Sequence, residues 1–384
     1  MRLVFLLIIF LFNFNIVWGG QDSLRPSSTI IKLGTSLPLS GHAAYLGQEV
    51  LSGMQAYLKA INEKGGINGY KIVLKVYDDR YSPPLMIGNV KTLVEKDNVL
   101  ALISLVGTPT TLTVVKYCEE KGIPLLFPVT GAIELRKPIK RTIFNLRPSY
   151  WNECRVAVDF LVKKGFRRFA IVYQHDAYGL NGLEGIRRRL FRYELEPIIC
   201  IPYFRGQAMV SQIIEKLIKA HPDVVCFIGT SDIGISLIKR YVKLSSKIPV
   251  FYGVSFVGIK NMVENLSNTP VTLYMTSVFP YYIKEENKAI REYKNLMLRY
   301  SKQKYFSALS FEGFLNMKLL VMVLKNLEKN PSREAIIKAL ENIQNFDIGL
   351  EEKVSFGPND HQGLKKVFLI KIKNGKIKQI STKN

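Results

Sequence analysis

The sequence predicts an α/β protein made of two doubly wound lobes. Three observations carry that expectation. Short apolar runs alternate strictly with helix-period segments, the grammar of a parallel sheet covered by helices on both faces. Near residue 145 the alternation stops and restarts with the same order of elements. The 384 residues, 47% hydrophobic and 22% charged, are enough for two cores of ordinary size.

The first 19 residues, "MRLVFLLIIFLFNFNIVWG", read as a secretory leader: Arg2, an apolar core, then small residues, with cleavage expected after Gly19. Asn13 and Asn15 interrupt that core and leave it short for a spanning helix. No later apolar stretch is long enough to span a bilayer, so the mature chain is expected to be soluble and exported. "TIIKLGTSLPLSG" is then a strand running into a Pro/Gly/Ser loop. The helix "LGQEVLSGMQAYLKAINEKGG" follows, with Leu51, Met54, Leu58 and Ile61 on one face and a double-glycine stop. Strand "YKIVLKVYDD", helix "PPLMIGNVKTLVEKD", strand "VLALISLV", helix "TPTTLTVVKYCEEKG" and strand "IPLLFPVTG" complete the first unit.

"TIFNLRPSY" reads as an extended connection. Beyond it come helix "WNECRVAVDFLVKKG", strand "RFAIVYQHD", helix "YGLNGLEGIRRRLFRY", strand "EPIICIPYF", helix "MVSQIIEKLIKA", strand "DVVCFIGT", helix "DIGISLIKRYVKL" and strand "PVFYGVS". A helical block spans residues 281–345, and "KKVFLIKIKNGKIKQI" closes the chain as a hairpin turning at Asn374-Gly375.

Formal net charge is +23. The basic stretches "KKGFRR", "IRRRLFR" and "IKRYVKLSSK" lie in separate segments, without the aromatic interleaving of a nucleic-acid site, and read as solvated helix faces. Cys200 and Cys226 lie in apolar strand runs, Cys118 and Cys154 on helical patterns. Their spacing fits no zinc site, so buried free thiols are expected rather than bridges.

Catalytic motifs are missing: no GxSxG, GxxxxGK[ST] or HExxH occurs. "GLNGLEG" has the wrong spacing for a dinucleotide loop and reads as helix-start packing. His42 and His175 fall in loops as polar lining, while His221 and His361 read as surface positions. Asp78, Asp79 and Asp176 stand at strand ends, where capping the next helix is the expected role. No nucleophile, catalytic base, metal set or cofactor motif assembles. The unusual segment is "VGTPTT", where Thr108, Thr110 and Thr111 crowd a strand-to-helix turn. One threonine suffices for a cap; the excess points to hydroxyls that hold a polar ligand group.

"KLGTSLPLSGHAAYLGQEVLSGMQAYLKAINEKGGINGYKIVLKVYDD", "VGTPTTLTVVKYCEEKGIPLLFPVTGA", "FNLRPSY", "VYQHDAYGLNGLEG" and "SFEGFLNMKLLVMVL" together resemble the type 1 periplasmic binding proteins. These are the leucine/isoleucine/valine-binding substrate proteins of ABC transporters. The resemblance implies two Rossmann-like lobes joined by three crossing segments near 145–147, 277–282 and 346–353. It implies an amino-terminal lobe of 29–145 plus 281–346 and a carboxy-terminal lobe of 146–280 plus 347–384. Residue by residue, it implies that Thr108 and Thr110, with Pro109 between them, and Thr130 with Gly131 hold a ligand carboxylate. Tyr178 would cover the ligand from the far lobe, and Tyr45 with Leu46 would line the side-chain pocket. Where amino-acid binders carry an acid for the ligand ammonium, this chain has Ser255, with Asp176 and Asp232 as candidate substitutes. With Tyr203 and Phe256 as further lining, a carboxylate or amide on an apolar or aromatic body suits the site better than a zwitterion.

The expected function is extracytoplasmic capture of a small molecule by a monomer that meets a membrane ABC permease transiently, with no chemistry, cofactor, metal or nucleic acid. The alternatives are a ligand-sensing subunit for a signalling partner and, in a different class, an exported hydrolase.

Overall fold

The computed structural model describes residues 30–207, 209–282, 287–302, 304–328 and 331–380; the expected leader at 1–19 lies outside them. The first unit runs β1 (Ile30–Leu37), α1 (Ala44–Glu63), β2 (Lys71–Asp78), α2 (Pro83–Lys91), β3 (Ala101–Ile103), α3 (Thr108–Leu112), α4 (Val115–Glu120), β4 (Leu125–Leu126) and β5 (Ile143–Phe144). Its five strands are all parallel, in the order β2-β1-β3-β4-β5.

The second unit runs α5 (Tyr150–Lys163), β6 (Phe169–Gln174), α6 (Ala177–Phe191), β7 (Ile199–Tyr203), α7 (Val210–Ala220), β8 (Val224–Ile228), α8 (Ser231–Leu244), β9 (Val250–Gly253), α9 (Ile259–Leu266) and β10 (Thr272–Ser277). After α10 (Lys288–Tyr300), α11 (Ala308–Lys325) and α12 (Arg333–Glu341), the chain returns as β11 (Phe368–Lys373) and β12 (Lys376–Ile380). The second sheet reads β12-β11-β10-β9-β8-β6-β7, with β10-β11 and β11-β12 antiparallel. Its parallel part, β7-β6-β8-β9-β10, repeats the order of the first sheet. Both orders place a topological switch point beside their first strand, where open α/β sheets bind ligands at the carboxyl ends.

Local chemistry explains the element ends. Ser149 and Asn152 form a capping box on α5, Ser307 and Ser310 another on α11, and Asp176 caps α6 through the N–H groups of Tyr178 and Gly179. Asn374 and Gly375, with φ of 49° and 68°, make the left-handed pair that the closing hairpin needs. The single helix expected over "TPTTLTVVKYCEEKG" is split between α3 and α4. A run of β-branched residues lies there, and the Thr113 hydroxyl donates to the Thr110 carbonyl 2.6 Å away, competing with the helix ladder. The sequence reading assigned no element to residues 259–277, where α9 and β10 stand.

All four cysteines are free. Cys118, Cys154 and Cys226 are buried, but Cys200 is exposed, which corrects the expectation for that residue: β7 is an edge strand, and alternation turns Cys200 outward. No helix among the described residues is long and apolar enough to cross a membrane.

Helix α11 is buried along nearly its whole length and crosses α1 at two glycines. A Cβ on Gly53 would stand 1.8 Å from the Ser310 carbonyl oxygen, and one on Gly313 would stand 2.1 Å from that of Val50. The helices therefore meet backbone to backbone, which ties the helical block after β10 to the first lobe. Gly53→Ala or Gly313→Ala must push the helices apart; each is expected to destabilise the chain by about 1–3 kcal/mol in urea unfolding, although alanine has the better helix propensity.

Candidate functional site

The loops after β1, β3, β6 and β8 converge where the two sheets' carboxyl ends face each other. From the first sheet comes the turn that the sequence singled out. Thr108 opens α3 behind Gly107, whose φ of 99° excludes most side chains. The Thr108 hydroxyl is not a cap. It lies 2.6 Å from the Thr130 hydroxyl, which also accepts the Ala132 N–H at 3.2 Å. Two hydroxyls sharing one hydrogen bond leave a single proton to offer elsewhere. The Thr110 hydroxyl is turned back onto the Val106 and Gly107 carbonyls, so its proton is already committed. Pro109 is partly exposed beside them, and Leu46 is fully buried.

Aromatic rings surround this pair. Tyr150 and Tyr178 lie 5.3 Å apart, Tyr178 and Phe256 4.8 Å, and Tyr81 and Phe256 6.3 Å, all four buried. Gly131 is required by the box: a Cβ there would stand 2.7 Å from the Tyr150 ring. Tyr178 donates to the Gly229 carbonyl at 3.3 Å. Tyr203 stacks on Phe227 at 6.1 Å, one step removed.

Tyr81 was not anticipated from the sequence. It and Arg80 both adopt the left-handed conformation, with φ of 60° and 52°, uncommon for such bulky residues. The consecutive aspartates hold them there: Asp78 accepts the Arg80 N–H at 2.9 Å and Asp79 that of Tyr81 at 2.8 Å. Burial pushes the Asp79 carboxyl up to about 6. The strain delivers the Tyr81 ring onto Gly107, with its hydroxyl buried and without a hydrogen-bond partner among the described residues. His42 stands edge-on to that ring at 6.0 Å, its own pKa lowered by burial.

Across the cleft the lobes touch. The Tyr45 hydroxyl donates to the Val257 carbonyl at 2.9 Å and accepts the Ser231 N–H at 3.2 Å. Arg205 donates to the Tyr81 carbonyl at 2.8 Å, stacks over its ring at 5.0 Å and pairs with Asp176 at 3.4 Å. Asp176 is thus occupied as helix cap and ion-pair partner, and Asp232 is exposed in the first turn of α8.

Ser255 meets a carboxylate other than the two candidates. Its N–H and hydroxyl donate to Glu153 at 2.8 and 2.9 Å, and Thr276 donates to the same carboxylate at 2.6 Å. Arg147 completes the cluster, pairing with Glu153 and Glu312 at 3.3 Å each and donating to the Ser255 hydroxyl. Burial opposes the Arg147 charge, yet Glu312 and Glu153 outweigh it and hold the guanidinium above its ordinary value. Burial pushes Glu312 up to about 7 despite Arg147. The Glu153 carboxylate is saturated by its own protein. Its signal lay unread in "LRPSYWNE", a cation and an acid six residues apart across a helix start.

A profile of the periplasmic binding protein family matches residues 30–376. The chain belongs to that family. Among relatives, the periplasmic binding protein described here is 24% identical to "Leu/Ile/Val-binding protein homolog 3" of Brucella melitensis over 200 residues, 52% of this chain and 54% of that one. It thus aligns with about half the length of the curated relatives it matches. It is also similar to the crystal structure of a possible leucine/isoleucine/valine-binding protein from Rhodopirellula baltica, with 29% identity, a TM-score of 0.87, and 94% and 99% of the two chains covered. A fatty acid ABC transporter substrate-binding protein from Thermomonospora curvata shares the fold at 20% identity, with a TM-score of 0.81 and 92% of each chain covered. Members of this family bind small ligands outside the cytoplasm and work with ABC permeases.

One buried acid beside the lobe contact has no ion-pair partner among the described residues. Glu49 on α1 has its carboxyl pushed up to about 7 by burial, with Ser307 and Lys260 only partly offsetting it. A folded value raised above the unfolded one stabilises the fold fully below the unfolded value and loses that contribution as pH rises through about 7. Glu49→Gln is therefore expected to leave the melting temperature unchanged near pH 3.5, below the unfolded value, and to raise it near pH 8, by up to about 3 kcal/mol of stability. Thermal melts of both forms across that range check it.

Proposed function

We propose that this chain is the solute-binding component of an ABC importer, exported by cleavage after Gly19. It captures a small molecule with a carboxylate or amide on an apolar or aromatic body. The carrying observation is the Ser255 cluster. The position that would meet a ligand ammonium is filled by a serine whose nearby carboxylate, Glu153, already has four donors, one of them the Arg147 cation. A buried ammonium there would have no free counter-charge.

At the other end, the Thr108–Thr130 pair has a hydroxyl proton to give, and the buried Tyr81 hydroxyl lacks a partner among the described residues. Between them stand the rings of Tyr150, Tyr178 and Phe256. We assign ligand contact to Thr108, Thr130, Gly131, Tyr45, Leu46, Pro109 and Tyr178, and add Tyr81. Thr110, Asp176, Asp232 and Ser255 act in this reading as supports of the site. The lobes are assigned as 29–145 plus 281–346 and 146–280 plus 347–384, the protein acting as a monomer on the permease. The Thermomonospora curvata protein is named for a ligand of the proposed class, a fatty acid. The Leu/Ile/Val relatives' names favour a second reading, a branched-chain amino acid.

A thermal-shift panel decides between them, since a ligand at 100 times its Kd adds about 2.7 kcal/mol. Aliphatic and aromatic carboxylates and amides are expected to raise the melting temperature, and leucine, isoleucine and valine to leave it unchanged. Strong stabilisation by leucine restores the second reading. With the stabilising compound in hand, Thr130→Val and Tyr81→Phe are each expected to weaken binding by about 1–3 kcal/mol in titration calorimetry, each removing a hydroxyl from a water-poor site. Wild-type affinity in both variants would displace the site from these residues.

A further inference from the structure

Away from the rings of the cleft, an open groove of about 1460 Å³ runs between the loop 133–139 and helices α5 and α6. Small-molecule sites occupy about 300–1,000 Å³, so this volume suits a segment of a macromolecule. Its walls come from both lobes: Lys137 and Ile139 lie on the loop before β5, Trp151 and Arg155 on α5, and Lys365 on the segment that returns to β11.

The groove's charge is predominantly positive, with eight Lys and Arg side chains against Glu184, Glu196 and Asp360. Lys137, Arg155, Arg187 and Arg192 are exposed, line it, and have no ion-pair partner among the described residues. Arg188 adds a further cation, its guanidinium 4.3 Å from the centre of the Trp151 ring and only loosely paired with Glu184 at 3.6 Å. Arg188, in the last turn of α6, and Arg192, its C-cap, stand one turn apart and concentrate positive charge at that helix end. An apolar component accompanies the cations: Phe191 is 73% exposed and Ile139 41%. Solvated helix faces do not need a concavity, and arginine with exposed aromatic rings is the composition of interface cores.

We propose that this groove docks an acidic, amphipathic segment of a partner protein. The segment's carboxylates pair with Arg155, Arg187 and Arg192, and its apolar side chains cover Phe191 and Ile139. Neither Thr108 nor Tyr178 lines the groove, so a bound ligand and a docked segment occupy the protein together. Arg136 separates the two sites. It lines the groove and donates to the Ala132 carbonyl at 2.7 Å, beside Thr130.

The test uses the full mature chain and a fluorescein-labelled synthetic peptide of alternating glutamate and leucine, followed by anisotropy. Saturable binding is expected, weakening as ionic strength rises, with none for the same peptide carrying glutamine in place of glutamate. The triple variant Arg155→Glu/Arg187→Glu/Arg192→Glu is expected to lose about tenfold or more in affinity. The control Lys59→Glu/Lys216→Glu/Lys219→Glu, with the same change in net charge on other exposed faces, is expected to keep it. Equal loss in both triples overturns the proposal in favour of unspecific attraction to a cationic chain. Failure of the peptide to bind overturns it as well. Groove-dependent sedimentation with phosphatidylglycerol vesicles but not with the peptide overturns it in favour of a lipid surface.

Discussion

The buried cation Arg147 organises the junction between the two units of the fold. It stands between β5 of the first sheet and α5 of the second unit. Its guanidinium reaches Glu312 on α11, Glu153 on α5 and the Ser255 hydroxyl. Its carbonyl accepts from Arg136 at 2.8 Å and from Gln362 at 2.7 Å. Five separate stretches of chain are thereby fixed relative to one residue. Taking Arg147 out of water costs several kcal/mol, and the attraction of two carboxylates offsets that cost only while both stay in place; loss of one partner typically costs about 3–5 kcal/mol. The cluster therefore specifies geometry more than it adds stability.

That geometry explains the division of labour in the cleft. Glu153 is committed to Ser255, Thr276 and Arg147, so the electrostatic end of the cleft is internally balanced. The threonine end is under-committed, with a proton to spare. Arg136 carries the junction's geometry to the threonine loop through the Ala132 carbonyl. It does so without an ion pair among the described residues: burial, then the Arg147 charge, lowers its pKa to about 9, and its hydrogen bonds go to carbonyl and amide oxygens.

The two-sheet architecture was legible because parallel strands buried on both faces read as apolar runs between helical periods. The boundaries were less so. β5 has two residues and β4 two, too short for any periodicity, and the α3–α4 break arises from side-chain competition at Thr113. Within the candidate site, Thr108, Thr130 and Tyr178 were legible through the strand-end turns and the family's motifs. Tyr81 was not, because its place depends on two successive left-handed residues held by Asp78 and Asp79, a conformation with no periodic signature. Nor was the Arg147–Glu153–Glu312 cluster, which joins residues up to 165 positions apart. Such long-range charge pairing leaves only isolated letters in the chain.

The free thiols bear on biogenesis. Cys118, Cys154 and Cys226 are sealed in the cores, and burial pushes the Cys118 thiol up to about 12, so it carries almost no thiolate. Thiol–disulfide exchange needs the thiolate, and the folded protein presents almost none from these three positions. The unfolded chain gives them no such shelter. Under oxidising conditions, a chain that has not yet folded therefore exposes four thiols to mispairing. Closing the two cores withdraws three of the four thiols from exchange and leaves Cys200 alone at the surface.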